Sequence, residues 1–182
     1  MMTARVFFPS RRAIFEMAVG QQGLDMPEML WKAYLDYEIE KGEAERARTL
    51  YRRLLERTQH PKVWISFAKF EADAGDGADG AAAVFREAEE HFRAEGAKEE
   101  RVVVLDSWKE MEAALADADR LAVVEAKMPK RIKKKRPITS DEGEQLGWEE
   151  YFDYIFPEEE AKAPSLKILE MAHKWKKQKI DE

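Results

Sequence analysis

The chain has 182 residues and a net charge of −6, with 45% hydrophobic and 37% charged residues. That balance fits charged-faced helices over a shared core and argues against a wholly basic nucleic-acid binder. Without cysteine there are no disulfides or thiolate metal sites, and no apolar run nears the roughly 18 residues that span a bilayer.

Residues 1–9 hold one arginine among a few apolar residues and are too short for a secretory signal. Residues 10–18 read as a helix with Ser10 as its cap. Ile14-Phe15 corresponds to Leu50-Tyr51 and to Val84-Phe85, and Arg12 to Arg48. Residues 1–24 therefore read as a partial repeat, a second helix without its first. Repeat arrays seldom start on an open half-repeat, so the chain is expected to be a piece or a shortened form of a longer protein.

A turn around Gly23 leads to Asp25 and Glu28, which have capping-box-like spacing, with Pro27 in the first turn. The helix that follows carries Trp31, Tyr34, Tyr37 and Glu38, and Gly42 breaks it. The next, over 43–58, puts Ala47, Leu50, Tyr51, Leu54 and Leu55 on one face. Pro61 opens a helix in which the first pattern recurs as Trp64, Phe67, Phe70 and Glu71, each offset by 33 residues. That offset is the mark of stacked helical repeats. Asp76 to Gly80 reads as a flexible loop, and 81–94 as a helix with Val84, Phe85, Ala88 and Phe92 inward. Leu105, Trp108, Met111 and Glu112 give a third, weaker match, with a partner helix over 117–128 stopped by Pro129. About three repeats thus occupy 25–128.

After Pro129 the character changes. Lys130, Arg131, Lys133, Lys134, Lys135 and Arg136 crowd into seven positions, and 139–147 is polar, so 129–147 reads as a basic run and linker. Residues 148–182 read as an aromatic-acidic segment, an acidic hinge at Glu158 to Glu160, and a helix over 165–179 with Ile168, Met171, Ala172 and Trp175 along one stripe.

Trp31, Tyr34, Tyr51, Trp64, Phe67, Phe85 and Trp108 sit at helical spacing and read as repeat core. Glu38 and Glu71 lie on the same apolar faces. A buried carboxylate must be paired or hydrogen-bonded, so both read as structural. Arg48 or Tyr51 is the expected partner of Glu38. Phe85 and Ala82 at the equivalent places argue that the pairing does not recur in the second repeat. His60, His91 and His173 lack zinc-site spacing. With no glycine-rich phosphate loop and no nucleophile motif, neither catalytic residues nor a cofactor nor a small-molecule substrate is expected.

The basic run has three readings: a nuclear import signal, a contact with RNA phosphates, or a solvated tail. The segment with Trp148, Tyr151, Phe152, Tyr154, Ile155 and Phe156 is too apolar to float free. It either folds back to cap the last repeat or docks on a partner protein, with its rings as anchors.

The aromatic–aromatic–Glu first helix and the Ala47-Arg48-Thr49-Leu50-Tyr51 second helix resemble HAT (half-a-TPR) repeats. Residues 30–40, 62–71, 128–136 and 147–157 further resemble the C-terminal portion of the crooked-neck family of spliceosomal scaffolds. The resemblance covers roughly residues 10–175. It departs at Ala82, where the pattern has arginine, at the small residues of 76–83, and in having about three repeats against the family's long array. It implies an all-α, helix-pair solenoid (an α-α superhelix) with a flexible C-terminal extension. It also implies a nuclear scaffold that binds spliceosomal proteins and is not an enzyme. The alternatives are a HAT module of 3′-end cleavage or ribosomal RNA maturation, and a direct RNA-binding module using the basic run.

Overall fold

The computed structural model describes residues 10–21, 27–139 and 145–162. The expected Asp25 cap and the helix over 165–179 lie outside the described residues. Within them the fold is an all-α helical repeat, with eight helices and one two-stranded sheet. It divides into two compact units, Met1–Ala88 and Glu89–Glu182.

The first unit contains α1 (Arg11–Val19), α2 (Pro27–Glu40), α3 (Ala44–Leu55) and α4 (Pro61–Ala74), followed by α5 (Gly77–Glu95), which runs past its end. Sequential helices pack on one another from α1 to α4. Their ends are set locally. The Ser10 side chain accepts from the Ala13 N–H at 3.3 Å, and His60 Nδ1 accepts from the Lys62 N–H at 3.1 Å, with Pro61 in the first turn. Gly42, at φ 70°, supplies the left-handed residue between α2 and α3.

The same joint occurs twice in this unit. Phe15 of α1 stacks on Tyr34 of α2, with ring centroids 4.8 Å apart. Tyr51 of α3 stacks on Phe67 of α4 at the same separation. Beside each ring pair lies a two-pronged ion pair. Arg12 Nε donates to Glu38 Oε1 at 2.7 Å and Nη2 to Oε2 at 2.9 Å. Arg48 repeats both bonds at the same distances to Glu71. The expected partner of Glu38 is thus corrected from Arg48 or Tyr51 to Arg12, and the pairing does recur, as Arg48–Glu71. The reason is that the second helix of one repeat packs on the first helix of the next, so each arginine reaches forward.

The expected loop at Asp76 to Gly80 is also corrected. α5 starts at Gly77, so these small residues lie at and within its first turn. Their size makes room for Glu71. A Cβ on Gly75 would lie 2.0 Å from Glu71 Oε2, and one on Gly80 would lie 3.2 Å from it. The freed carboxylate also accepts from the Asp76 N–H at 3.2 Å. The hydrogen bond from Arg48 is the largest influence on Glu71 and, against burial, holds its pKa below the ordinary 4.5.

The second unit contains the end of α5, then α6 (Lys98–Ala114), α7 (Ala118–Glu125), strands β1 (Lys130–Thr139) and β2 (Gln145–Ile155), and α8 (Pro157–Lys162). Asp117 caps α7 by accepting from the Asp119 and Arg120 N–H groups, each at 3.1 Å. Val104, Leu105, Trp108 and Val124 are buried. Glu112, also buried, accepts from Trp108 Nε1 at 2.9 Å and from Arg120 Nε at 2.8 Å. It takes its arginine from α7, in a sequence where the repeat's own arginine position holds Ala82.

Two outcomes follow for Glu71 and its glycine. Gly75→Ala should lower unfolding stability by about 1–3 kcal/mol, because the methyl displaces a carboxylate in use. Urea denaturation checks this, and parental stability would mean the space exists. A depressed carboxylate pKa gives stability that is present above the unfolded value and lost as pH falls through the folded one. The parent should therefore lose stability below pH 4.5 more steeply than Glu71→Gln, as read by thermal melts across that range.

Candidate partner-binding ribbon

The basic run is an extended strand, not an irregular linker. β1 pairs antiparallel with β2, with Lys130 opposite Ile155, Lys133 opposite Phe152, Arg136 opposite Glu149 and Pro137 opposite Trp148. A bulge falls between Ile138 and Thr139. The expected linker at 139–147 therefore includes the start of β2, at Gln145. The physical reason lies in composition: six like charges within seven positions repel, and β2 brings carboxylates and rings into register against them.

Each cation of the run has a partner. Lys130 reaches Glu160 at 2.7 Å, Lys134 reaches Asp153 at 2.5 Å and Arg136 reaches Glu149 at 2.8 Å. Lys133 and Lys135 share Glu150. Arg131 lies over the Phe152 ring at 3.6 Å and Arg136 over Tyr151 at 5.4 Å. The bond to Lys134 comes first among the causes that hold Asp153 below its ordinary value. These pairs are exposed, and each adds little stability alone.

The aromatic segment divides. Phe156 is 1% exposed and lies under the Arg101 guanidinium at 3.8 Å, so this docking candidate is occupied within its own unit. Tyr151 and Tyr154 are half-buried. Trp148 and Phe152 remain 63% and 53% exposed. The repeat-core candidates Trp31, Tyr34, Glu38, Tyr51, Trp64, Phe67, Glu71, Phe85 and Trp108 are all buried.

What fastens the ribbon to α6 is a cluster that the sequence reading missed. Arg101 is buried and donates Nε to Glu89 Oε1 at 2.9 Å, and its Nη1 reaches Glu158 Oε1 at 2.5 Å. Lys127 reaches the other Glu89 oxygen at 3.1 Å. Lys98 donates to the Tyr154 carbonyl and to Glu159, both at 2.9 Å. A signal was present. Arg101 precedes Leu105, Trp108 and Glu112 by four, seven and eleven, which sets it on the apolar stripe of α6. Glu89 lies four after Phe85 and three before Phe92, on the stripe of α5.

Among the described residues no group of His, Asp and Glu could hold a metal ion, and no helix is long and apolar enough to cross a membrane.

The family described as PRP39 C-terminal HAT repeat matches residues 22–140. The chain belongs to the HAT-repeat family. Beyond the HAT match, the sequence is 51% identical over 171 residues to human Crooked neck-like protein 1, covering 92% of this chain and 20% of that protein. It is 52% identical over 177 residues to Drosophila melanogaster Protein crooked neck, covering 92% of this chain and 25% of the relative. It is 42% identical over 184 residues to Pre-mRNA-splicing factor CLF1 of Paracoccidioides brasiliensis, covering 92% and 26%. The chain thus spans about a fifth to a quarter of the length of these relatives. The fungal relative is named as a pre-mRNA-splicing factor.

Arg101→Ala would leave Glu89 buried with one partner fewer and uncover Phe156. It should cost about 3–5 kcal/mol in urea denaturation. Glu158→Ala removes only the half-exposed arm and should cost about 1 kcal/mol or less. Equal costs would mean that Glu89 does not need Arg101.

Proposed function

We propose that this HAT-repeat chain is a nuclear scaffold module of the pre-mRNA splicing machinery. It holds spliceosomal proteins on its helix pairs and on the exposed part of its C-terminal ribbon. The observation that carries this reading is the extent of the likeness to proteins named as splicing factors. It covers 92% of the chain and so reaches past the HAT match into the ribbon. The HAT match ends at residue 140, with β1, whereas this likeness continues through β2.

Two physical features support a scaffold. The joints between repeats are locked by ring stacking and two-pronged ion pairs, so a bound partner need not order the helices at the cost of its own affinity. The ribbon also projects Trp148, a residue type favoured as an interface anchor. The basic run, Lys130 to Arg136, is proposed as the import signal. Its lysines face solvent while their charges pair with carboxylates of β2 and α8.

Affinity purification of the tagged chain from nuclear extract, with and without RNase, tests the reading by mass spectrometry. Splicing proteins retained after RNase are the expected result. Partners drawn from 3′-end cleavage or ribosomal RNA maturation, with no splicing protein, would overturn it. Changing Lys133, Lys134, Lys135 and Arg136 to Ala should abolish nuclear accumulation of a fusion too large for passive entry. Unchanged accumulation would remove the import role from the run.

A further inference from the structure

The two faces of the ribbon are not alike. Residues directly opposite in an antiparallel pair share a face. One face therefore carries Lys130, Ile132, Lys134, Arg136 and Ile138 with Ile155, Asp153, Tyr151 and Glu149. Its three cations meet Glu160, Asp153 and Glu149, one carboxylate each. The other face carries Arg131, Lys133, Lys135 and Pro137 with Tyr154, Phe152, Glu150 and Trp148. Here three cations meet one carboxylate, because Lys133 and Lys135 both use Glu150 and Arg131 rests on a ring. The surplus positive charge lies on the face that holds both strongly exposed rings, Trp148 and Phe152.

We propose that this face is a stacking platform for single-stranded RNA. The inference goes beyond the scaffold reading: it leaves the helix pairs as the protein-binding surface and assigns Trp148, on this face of the ribbon, to RNA in place of a protein partner. Along one strand, side chains on a face recur about every 6.8 Å. The face thus presents a line of cations on β1 beside a β2 line in which the exposed rings Trp148 and Phe152 lie about 14 Å apart, with Glu150 between them. A single nucleic-acid strand presents the same two lines, one phosphate charge and one base per nucleotide. Bases stack on Trp148 and on the part of the Phe152 ring that Arg131 leaves exposed, while Arg131, Lys133 and Lys135 supply positive charge along the backbone. Stacking of this kind is tolerant of sequence, since every base has a π-face. An acidic peptide would satisfy the cations but would leave the exposed surface of Trp148 and Phe152 without matching flat partners. That is why RNA is favoured over a protein segment on this face.

The test uses the full chain and a labelled single-stranded oligouridylate, followed by fluorescence anisotropy over a salt series. The parent should bind with a slope of log affinity against log salt of about −2, as three phosphate contacts give. Lys133→Ala with Lys135→Ala should bring the slope to about −0.7. Trp148→Ala and Phe152→Ala should each weaken binding about tenfold. Trp148→Phe keeps a ring and guards against loss of fold, so it should stay within about threefold of the parent. Lys134→Ala, on the balanced face, should stay within about twofold. No binding by the parent at low salt would overturn the proposal. So would equal losses from Lys134→Ala and Lys133→Ala. Binding of polyglutamate as tight as that of oligouridylate, and indifferent to Trp148→Ala, would overturn it in favour of an acidic protein segment.

Discussion

A carboxylate on the apolar face of a helix is the constraint around which the first unit is built. Glu38 and Glu71 are buried, and a buried carboxylate without a partner is costly enough to unfold a small array. The partner comes from the preceding helix pair, Arg12 for Glu38 and Arg48 for Glu71. The guanidinium grips both oxygens, which sets its orientation as well as its distance. A stacked ring pair lies beside each grip, so register, spacing and approach of successive helices are set together. The small residues after α4 follow from the same constraint, because Gly75 and Gly80 leave the space that the Glu71 carboxylate fills.

The second unit solves a related problem with different parts. Glu112 is served by Trp108 and Arg120, and Glu89 by Arg101 and Lys127. The Glu89 cluster has a second consequence. Arg101 also covers Phe156 and reaches Glu158, so one buried arginine satisfies a carboxylate of α5 and anchors the end of the ribbon. Membership of the HAT family describes the helix pairs. The HAT match includes β1, and the likeness to crooked-neck and CLF1 proteins continues beyond it through β2.

Much of this was legible in the sequence. Four positions recurring at one offset gave the paired helices, and the apolar spacing gave the buried faces. The partner of Glu38 was not legible in the same way. Periodicity says which residues share a face, but not whether the neighbour across it belongs to the same repeat or the one before. Asp76 to Gly80 read as a loop because glycine and aspartate favour turns, yet a carboxylate five residues back lets the helix begin there. The strand pairing of Lys130 to Arg136 was hidden for another reason. A run of like charge looks solvated until the acids and rings of β2, more than ten residues later, are set against it. Arg101 and Glu89 were hidden by their own type, since charged residues on a stripe are easily read as its edge.

A double-mutant cycle on Arg48 and Glu71 is the most direct test of the claim that buried pairs lock one repeat to the next. Arg48→Ala, Glu71→Ala and the double variant would be compared with the parent by urea denaturation. The account predicts a coupling of about 1.5–3 kcal/mol, with the double variant little worse than the harsher single change. Additive losses, with coupling within about 0.3 kcal/mol of zero, would mean the two side chains contribute independently and would contradict it.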